Sequence, residues 1–240
     1  MKSNLILNIQ LIAIFILVIF LYSFTSKRNA DRKIIKPEIE FADTKTPFIT
    51  HETVNNLLIV NFGGTLTIQK DRVNLKKIEQ TINKHNLIEN SEVFLSVDGK
   101  FKTIVKQKIP IARVFYENTS FYVDYKGDKM PLSDNFTARV PLVYGKFNVD
   151  KEKSFVELLQ TIYNDDFLRK NIIGLQILSD KSIKLKNRNY SYDIVFGKAI
   201  QIDRKFNNYK AFFQKAVQDT LIDSYKEVNL KFIKQVVCTK

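Results

Sequence analysis

The clearest alternation of apolar and polar positions runs from Phe101 to Ile109. One side of this extended segment carries Phe101, Thr103, Val105, Gln107 and Ile109, and the other side carries Lys102, Lys106 and Lys108 together with Ile104. A period of two with lysines on one side predicts a half-buried strand. Pro110 has no N–H to give to a strand ladder, so we expect the strand to end there and a second domain to begin.

The chain before this strand predicts a small mixed domain. A strand is expected from Lys33 to Phe41, followed by a helix capped by Thr50 and a break at Gly63–Gly64. A second helix is expected after Asn74, with Leu75, Ile78 and Ile82 on one face. Val93, Leu95 and Val97 then alternate as another strand. The predicted order is strand, helix, helix, strand, strand.

The turn between the last two strands contains Asp98-Gly99. A two-residue turn would place Leu95 opposite Lys102, whereas a three-residue connection through Lys100 places Leu95 opposite Thr103 and Val93 opposite Val105. We therefore predict the three-residue connection.

The chain beyond Pro110 predicts a larger α+β domain. Short strands around the Asp124–Gly127 turn are followed by a helix capped by Asp150, and Asp165-Asp166 are expected to end that helix. Three further strands and a long helix opened by Asp203 come next. The long helix is expected to present Phe206, Tyr209, Phe213, Ala216 and Thr220 on one face. Val228, Leu230 and Phe232 predict a last strand.

The N-terminal part of the chain predicts a membrane-spanning helix. Leu5 to Phe24 is apolar apart from Asn8, Gln10 and Ser23, and about 20 helical residues span a hydrocarbon core of about 30 Å. Residues 1–4 would form a short tail and residues 5–26 the helix. A cleaved signal peptide would have a shorter apolar run and a small-residue cleavage site, so the anchor is favoured. Lys27, Arg28, Arg32 and Lys33 by themselves predict that the following residues are cytoplasmic.

Three segments in order resemble the FtsQ/DivIB family of bacterial cell-division proteins: KIPIAR from Lys108, FYVDYKGDKMPLS from Phe121, and ARVPLVYG from Ala138. The resemblance implies a POTRA-like domain at residues 32–110 and an outer, β-rich domain at 111–240. It also implies that these domains lie outside the cytoplasmic membrane, against the charge rule. We follow the resemblance on this point.

The resemblance implies a non-enzymatic scaffold that recruits bitopic partners like FtsB and FtsL to septal cell-wall synthesis. In that family the closing strands bind a small division partner, which adds a strand to an exposed sheet edge. The matching residues here are Tyr225, Val228, Asn229, Leu230, Lys231, Phe232 and Ile233. Lys231 stands where the family has arginine and Phe232 where it has tyrosine, so contacts that need a guanidinium fork or a hydroxyl are not carried over.

Composition and residue spacing limit the alternative functions of the chain. The 240 residues include 38 lysines and arginines against 25 acids, with two histidines and one cysteine. Neither His51 nor His85 has ligands at metal spacing, and no catalytic constellation, metal site or cofactor site is predicted. An anchored cell-wall hydrolase is therefore disfavoured. Two alternatives remain: a POTRA-bearing factor of outer-membrane protein assembly, and a basic nucleic-acid binder if the orientation is reversed.

Overall fold

A computed structural model of the protein describes residues 2–30, 35–43, 47–61, 73–145 and 153–240. Three sequence predictions lie outside these residues: the start of the first strand at Lys33, the break at Gly63–Gly64 and the cap at Asp150. The chain divides into two units, Met1–Gln107 and Lys108–Lys240.

The first helix, α1 (Lys2–Ala30), contains the apolar segment predicted from the sequence. By length and composition, Asn8–Asn29 can cross a membrane, and all its side chains are exposed. An exposed apolar helix of this length is consistent with single-pass membrane anchoring.

The rest of the first unit contains a three-stranded sheet and two helices. The strands β1 (Ile35–Phe41), β2 (Ile88–Leu95) and β3 (Lys100–Gln107) lie in the order β1-β3-β2, with β1 parallel and β2 antiparallel to β3. The helices α2 (His51–Asn61) and α3 (Leu75–Ile82) lie between β1 and β2 in sequence. The predicted order of elements is thus confirmed among the described residues.

Both predicted helix caps in this unit are present. The Thr50 hydroxyl accepts a hydrogen bond from the Thr53 N–H at 3.1 Å, and Asn74 Oδ1 accepts one from the Lys77 N–H at 3.0 Å. These bonds satisfy N–H groups that a helix start leaves without an intrahelical acceptor. In α3, Ile78 and Ile82 are buried in the core of this unit, as predicted.

The hairpin register differs from the prediction by two residues. Leu95 lies opposite Phe101 and Val93 opposite Thr103, so the connection is Val97-Asp98-Gly99. Gly99 has φ +89°, which glycine adopts without strain, and the Ser96 hydroxyl accepts a hydrogen bond from the Lys100 N–H at 3.0 Å. A shift of two leaves every side chain on its predicted face, because strand faces alternate with a period of two.

The second unit is built on a nine-stranded sheet in the order β12-β11-β10-β9-β8-β7-β4-β5-β6. Its strands are β4 (Pro110–Tyr116), β5 (Thr119–Asp124), β6 (Lys129–Met130), β7 (Leu142–Tyr144), β8 (Ile172–Ile177), β9 (Ile183–Asn187), β10 (Asp193–Gly197), β11 (Glu227–Asn229) and β12 (Val237–Thr239). The predicted α+β class is confirmed. The sheet is mixed and not wholly antiparallel, because β4–β7, β7–β8 and β10–β11 pair in parallel.

Among the described residues, three α-helices accompany this sheet, α4 (Lys153–Asn164), α5 (Asp166–Asn171) and α6 (Ile202–Gln218), together with a short 3₁₀ helix at Ile222–Ser224. Parallel neighbouring strands need a crossover connection. Here α4 and α5 lie in the connection between β7 and β8, and α6 lies in the connection between β10 and β11. One residue from each of six adjacent strands lies in register in the buried core: Val114, Val143, Leu175, Leu185, Ile194 and Val228. This row is the centre of the core beneath the helices.

Three helix predictions in this unit need correction. Asp165 does not only end a helix; its side chain accepts a hydrogen bond from the Leu168 N–H at 2.9 Å and thereby caps α5. The last helix begins at Ile202 after Gln201, which has φ +50°, and not at Asp203. Thr220 lies beyond its end and is exposed, whereas Phe206, Tyr209 and Ala216 are buried.

Candidate partner-binding surface

The seven residues predicted to bind a partner lie near one edge of the large sheet, but they do not form that edge. Only Glu227–Asn229 is strand, and this strand, β11, pairs with β10 on one side and with β12 on the other. The predicted last strand through Phe232 is therefore shorter than expected. The edge strand is β12, which the sequence pattern did not predict.

Burial divides the predicted residues into two groups. Val228 and Leu230 lie in the core, and Tyr225 packs against that core, with its ring 5.3 Å from the Phe212 ring. Lys231 and Phe232 are exposed. The core residues hold the segment in place, and the exposed residues are the ones that a partner can contact.

Hydrogen bonds between side chains and backbone groups fix the remaining predicted residues. Asn229 Oδ1 accepts a hydrogen bond from the Lys231 N–H at 3.0 Å, and Asn208 Nδ2 donates to the Ile233 carbonyl at 3.0 Å. The Lys231 N–H is thus used in a local turn and not in a strand ladder. A proline at Lys231 would therefore not test strand pairing.

The outer side of β12 has no strand neighbour among the described residues. The Leu230 N–H points to β10, since it donates to the Val195 carbonyl at 2.9 Å. Backbone groups alternate along a strand, so those of Glu227 and Asn229 point to β12, where they meet Thr239 and Val237. By the same alternation, the N–H and C=O of Cys238 point away from β11. They are the groups to which an added strand would bind.

The segment that contains this edge, residues 225–240, carries exposed apolar and cationic side chains. Phe232 is 50% exposed and Val237 is 41% exposed. Residues 225–240 contain four lysines and one glutamate. The edge therefore favours an extended segment with apolar side chains and a negative charge.

The side chain of Lys231 packs closely against Gly197. A Cβ atom at Gly197 would lie 2.9 Å from Lys231 Cγ, and the glycine has φ +75°, so a larger residue there would displace the lysine. Hydrogen bonds from Ser182 lower the pKa of Asp180, and the charge of Lys231 lowers it further. Lys231 therefore has a defined position over the end of β10.

Lys205, on α6, is buried behind the turn from Phe196 to Lys198, and only 2% of its surface is exposed. Its Nζ donates hydrogen bonds to the carbonyls of Phe196 at 2.9 Å and Lys198 at 2.8 Å and lies 4.6 Å from the centre of the Phe196 ring. Burial lowers the pKa of Lys205. These bonds fix the turn over which Lys231 lies. The sequence pattern gave no signal for this role.

The protein-family comparison covers nearly all of the second unit. The FtsQ/DivIB C-terminal related family matches residues 109–239, which include every strand from β4 to β12. The chain belongs to the FtsQ/DivIB family. The resemblance inferred from the three sequence segments is confirmed.

Among solved structures, this FtsQ/DivIB chain is similar to the major extracytoplasmic domain of the trans isomer of the cell-division protein DivIB from Geobacillus stearothermophilus. The two share 15% sequence identity with a TM-score of 0.32, over 47% of this chain and 95% of the other. Proteins with curated descriptions gave no match. The family assignment therefore depends on residues 109–239.

The residues considered for chemistry have structural partners in this FtsQ/DivIB chain. Asp165 pairs with Lys210 and Asp166 with Arg169. His51 lies edge-on to Phe41 at 4.7 Å, and burial lowers the pKa of His85, whose Nδ1 accepts from the Leu87 N–H at 3.3 Å. Among the described residues, no three histidine, cysteine or carboxylate side chains are grouped to hold a metal.

Proposed function

We propose that this protein is a non-enzymatic, membrane-anchored scaffold of the bacterial division machinery. It recruits FtsB/FtsL-like bitopic partners to septal cell-wall synthesis. Family membership indicates a role in cell division. The observation that carries the scaffold role is the outer side of β12, which has no strand neighbour among the described residues.

The partner binds by adding a strand beside β12. Main-chain hydrogen bonds to Cys238 supply affinity, and alternate side chains of the added strand contact Phe232 and Val237. Lys231 and its neighbouring lysines steer an acidic segment to the edge. Val228 and Leu230 act indirectly, because they are buried and hold β11 against β10.

In this proposal, the edge lies outside the cytoplasmic membrane. Helix α1 spans the membrane with residues 1–4 in the cytoplasm, and the strand-helix-helix-strand-strand unit is a POTRA-like domain. Protease added to intact spheroplasts should digest residues after Lys27 and leave the N-terminal tail. Full protection of the chain would place the two units in the cytoplasm and contradict this orientation.

A matched pair of substitutions tests the edge. Cys238→Pro removes the outward N–H, whereas Cys238→Val changes the same side chain and keeps the N–H. We expect Cys238→Pro to weaken capture of the FtsB/FtsL-like proteins of the same bacterium at least tenfold, and Cys238→Val to leave it within about twofold. If a folded Cys238→Pro variant captured the partner as well as the wild type does, the binding site would lie elsewhere.

The charge at Lys231 is tested separately. Lys231→Glu should slow association with the partner most strongly at low salt, because it reverses the attraction to an acidic segment. Lys170→Glu makes the same charge change on an exposed residue of α5 and serves as the control. Equal effects of both substitutions would mean that only the net charge of the chain matters.

A further inference from the structure

Helix α1 carries a polar side chain within its apolar run, about halfway between one interface and the middle of the membrane. The charges that flank this run are Lys2 and Lys27. A helix between them is about 38 Å long, and the hydrocarbon core is about 30 Å thick. With the two lysines at opposite interfaces, Gln10 lies about 8 Å inside the hydrocarbon, whereas Asn8 lies only about 5 Å inside.

A carboxamide at this depth has no water to bind. The backbone groups of the helix interior are already paired within the helix, and Gln10 forms no hydrogen bond with a described residue. Thr25, by contrast, satisfies its hydroxyl on the Leu21 carbonyl at 2.7 Å. An unpaired carboxamide at this depth costs free energy, and a hydrogen-bonding group from outside its own helix would remove that cost.

The smallest side chain of the segment lies on the same face as Gln10. Ala13 is the only alanine between Lys2 and Lys27, a stretch without glycine. Ala13 lies three residues after Gln10, and Leu17 lies seven residues after Gln10. The three residues therefore share one helix face. Small residues let two membrane helices approach closely enough for side-chain hydrogen bonds. Asn8, two residues before Gln10, lies on the opposite face.

We propose that α1 pairs with α1 of a second copy of this chain, with Gln10 hydrogen-bonded to Gln10 across the interface. A carboxamide is both donor and acceptor, so two identical side chains satisfy each other in a symmetric pair. Ala13 lies beside this contact and lets the helices approach. The inference rests on the membrane anchor of the proposed function and does not involve the β12 edge.

Energy transfer between differently labelled copies of the full chain in liposomes tests the pairing. The wild type should show transfer that depends on the protein-to-lipid ratio. Gln10→Leu should raise the dissociation constant about three- to fifteen-fold, the range expected for one interhelical hydrogen bond. Ala13→Leu should also weaken the pair, and Gln10→Asn should keep part of the affinity because it keeps the amide.

Asn8→Leu is the matched control, because it removes an amide from the opposite face and should leave the transfer unchanged. Transfer that Gln10→Leu does not reduce, or that Asn8→Leu reduces equally, would overturn the proposal. Energy transfer at background level for the wild type would also overturn the proposal. Gln10 would then be available to hydrogen-bond with a helix of another protein. Binding of the FtsB/FtsL-like partner is measured in parallel. A loss of partner binding that occurs only in Cys238→Pro would test the proposed function and not the pairing of α1 helices.

Discussion

Lys108 and Asp124 form an ion pair with 2.9 Å between Nζ and Oδ2, and their side chains are 18% and 3% exposed. The other carboxylate oxygen of Asp124 accepts hydrogen bonds from the N–H groups of Lys126 and Asp128. Asp124 therefore joins the first residue of the second unit to the turn after β5.

Asp124→Ala should destabilise the second unit by about 3 kcal/mol, because it leaves a largely buried ammonium and two N–H groups without their acceptor. Urea unfolding of the full chain in detergent measures this. Asp128→Ala, at an exposed position in the same turn, should change the stability by less than about 0.5 kcal/mol. Similar effects of the two substitutions would show that the buried pair adds nothing.

A buried hydroxyl network joins α6 to the sheet. The Tyr209 hydroxyl accepts from Asn187 Nδ2 at 2.8 Å and lies 2.9 Å from the Tyr192 hydroxyl. Burial raises the pKa of both tyrosines, so both stay neutral at ordinary pH. Tyr209→Phe should cost about 1–3 kcal/mol, since it leaves buried polar groups unpaired.

The control for this network is Tyr190→Phe, at a half-buried ring that is stacked on Tyr192. We expect it to change the stability by less than about 0.5 kcal/mol. In a double-mutant cycle, Tyr192→Phe should cost less in the Tyr209→Phe background than in the wild type. Strict additivity would contradict a shared network.

The stability should depend on pH through Lys205. Burial lowers its pKa in the folded chain below that in the unfolded chain. Between the two pKa values the unfolded chain binds more protons, so this group makes folding more favourable as the pH rises. Below the folded-state pKa the ammonium is charged in both states and the contribution is constant.

Comparison with Lys205→Met isolates this contribution, because every other titrating group is shared. The stability of the wild type relative to Lys205→Met should increase as the pH is raised toward the pKa of an unfolded lysine. Thermal unfolding at a series of pH values measures the difference. A constant difference across that range would mean that Lys205 has the same pKa in both states.

In the first unit, Ile78→Asp should remove most of the stability. Ile78 is 4% exposed in the core of that unit, and an unpaired carboxylate there costs several kcal/mol. Gln80→Asp introduces the same residue two positions away at an exposed site of α3. Circular dichroism should show loss of folded structure for the first variant and little change for the second.

The sequence predicted the elements whose signal is local. The caps at Thr50 and Asn74 and the buried face of α3 depend on neighbouring residues, and all are confirmed. The predicted hairpin register was wrong by two residues, because the predicted and the observed pairings both keep the apolar residues on one face. The apolar pattern therefore does not distinguish the two pairings, whereas the positive φ of Gly99 places that residue in the connection.

The remaining differences come from contacts distant in sequence. The three residues of β12 have too short a pattern to predict a strand, and they become one by pairing with β11. Likewise Lys205 looks like an ordinary helix-surface residue until the carbonyls of Phe196 and Lys198 meet its Nζ. The residues predicted from the sequence therefore lie one strand inside the sheet edge, and the sequence could not identify the edge strand.

The parallel pairing of β10 with β11 has a consequence for timing during synthesis. Their connection must pass through α6, and β12 is added only after β11 is in place. A ribosome has to reach Thr239 before the outer edge exists. A nascent chain stopped earlier would expose β11 or β10 instead, with a different set of side chains. Under the proposed function, only chains translated through Thr239 would offer the partner the edge at β12.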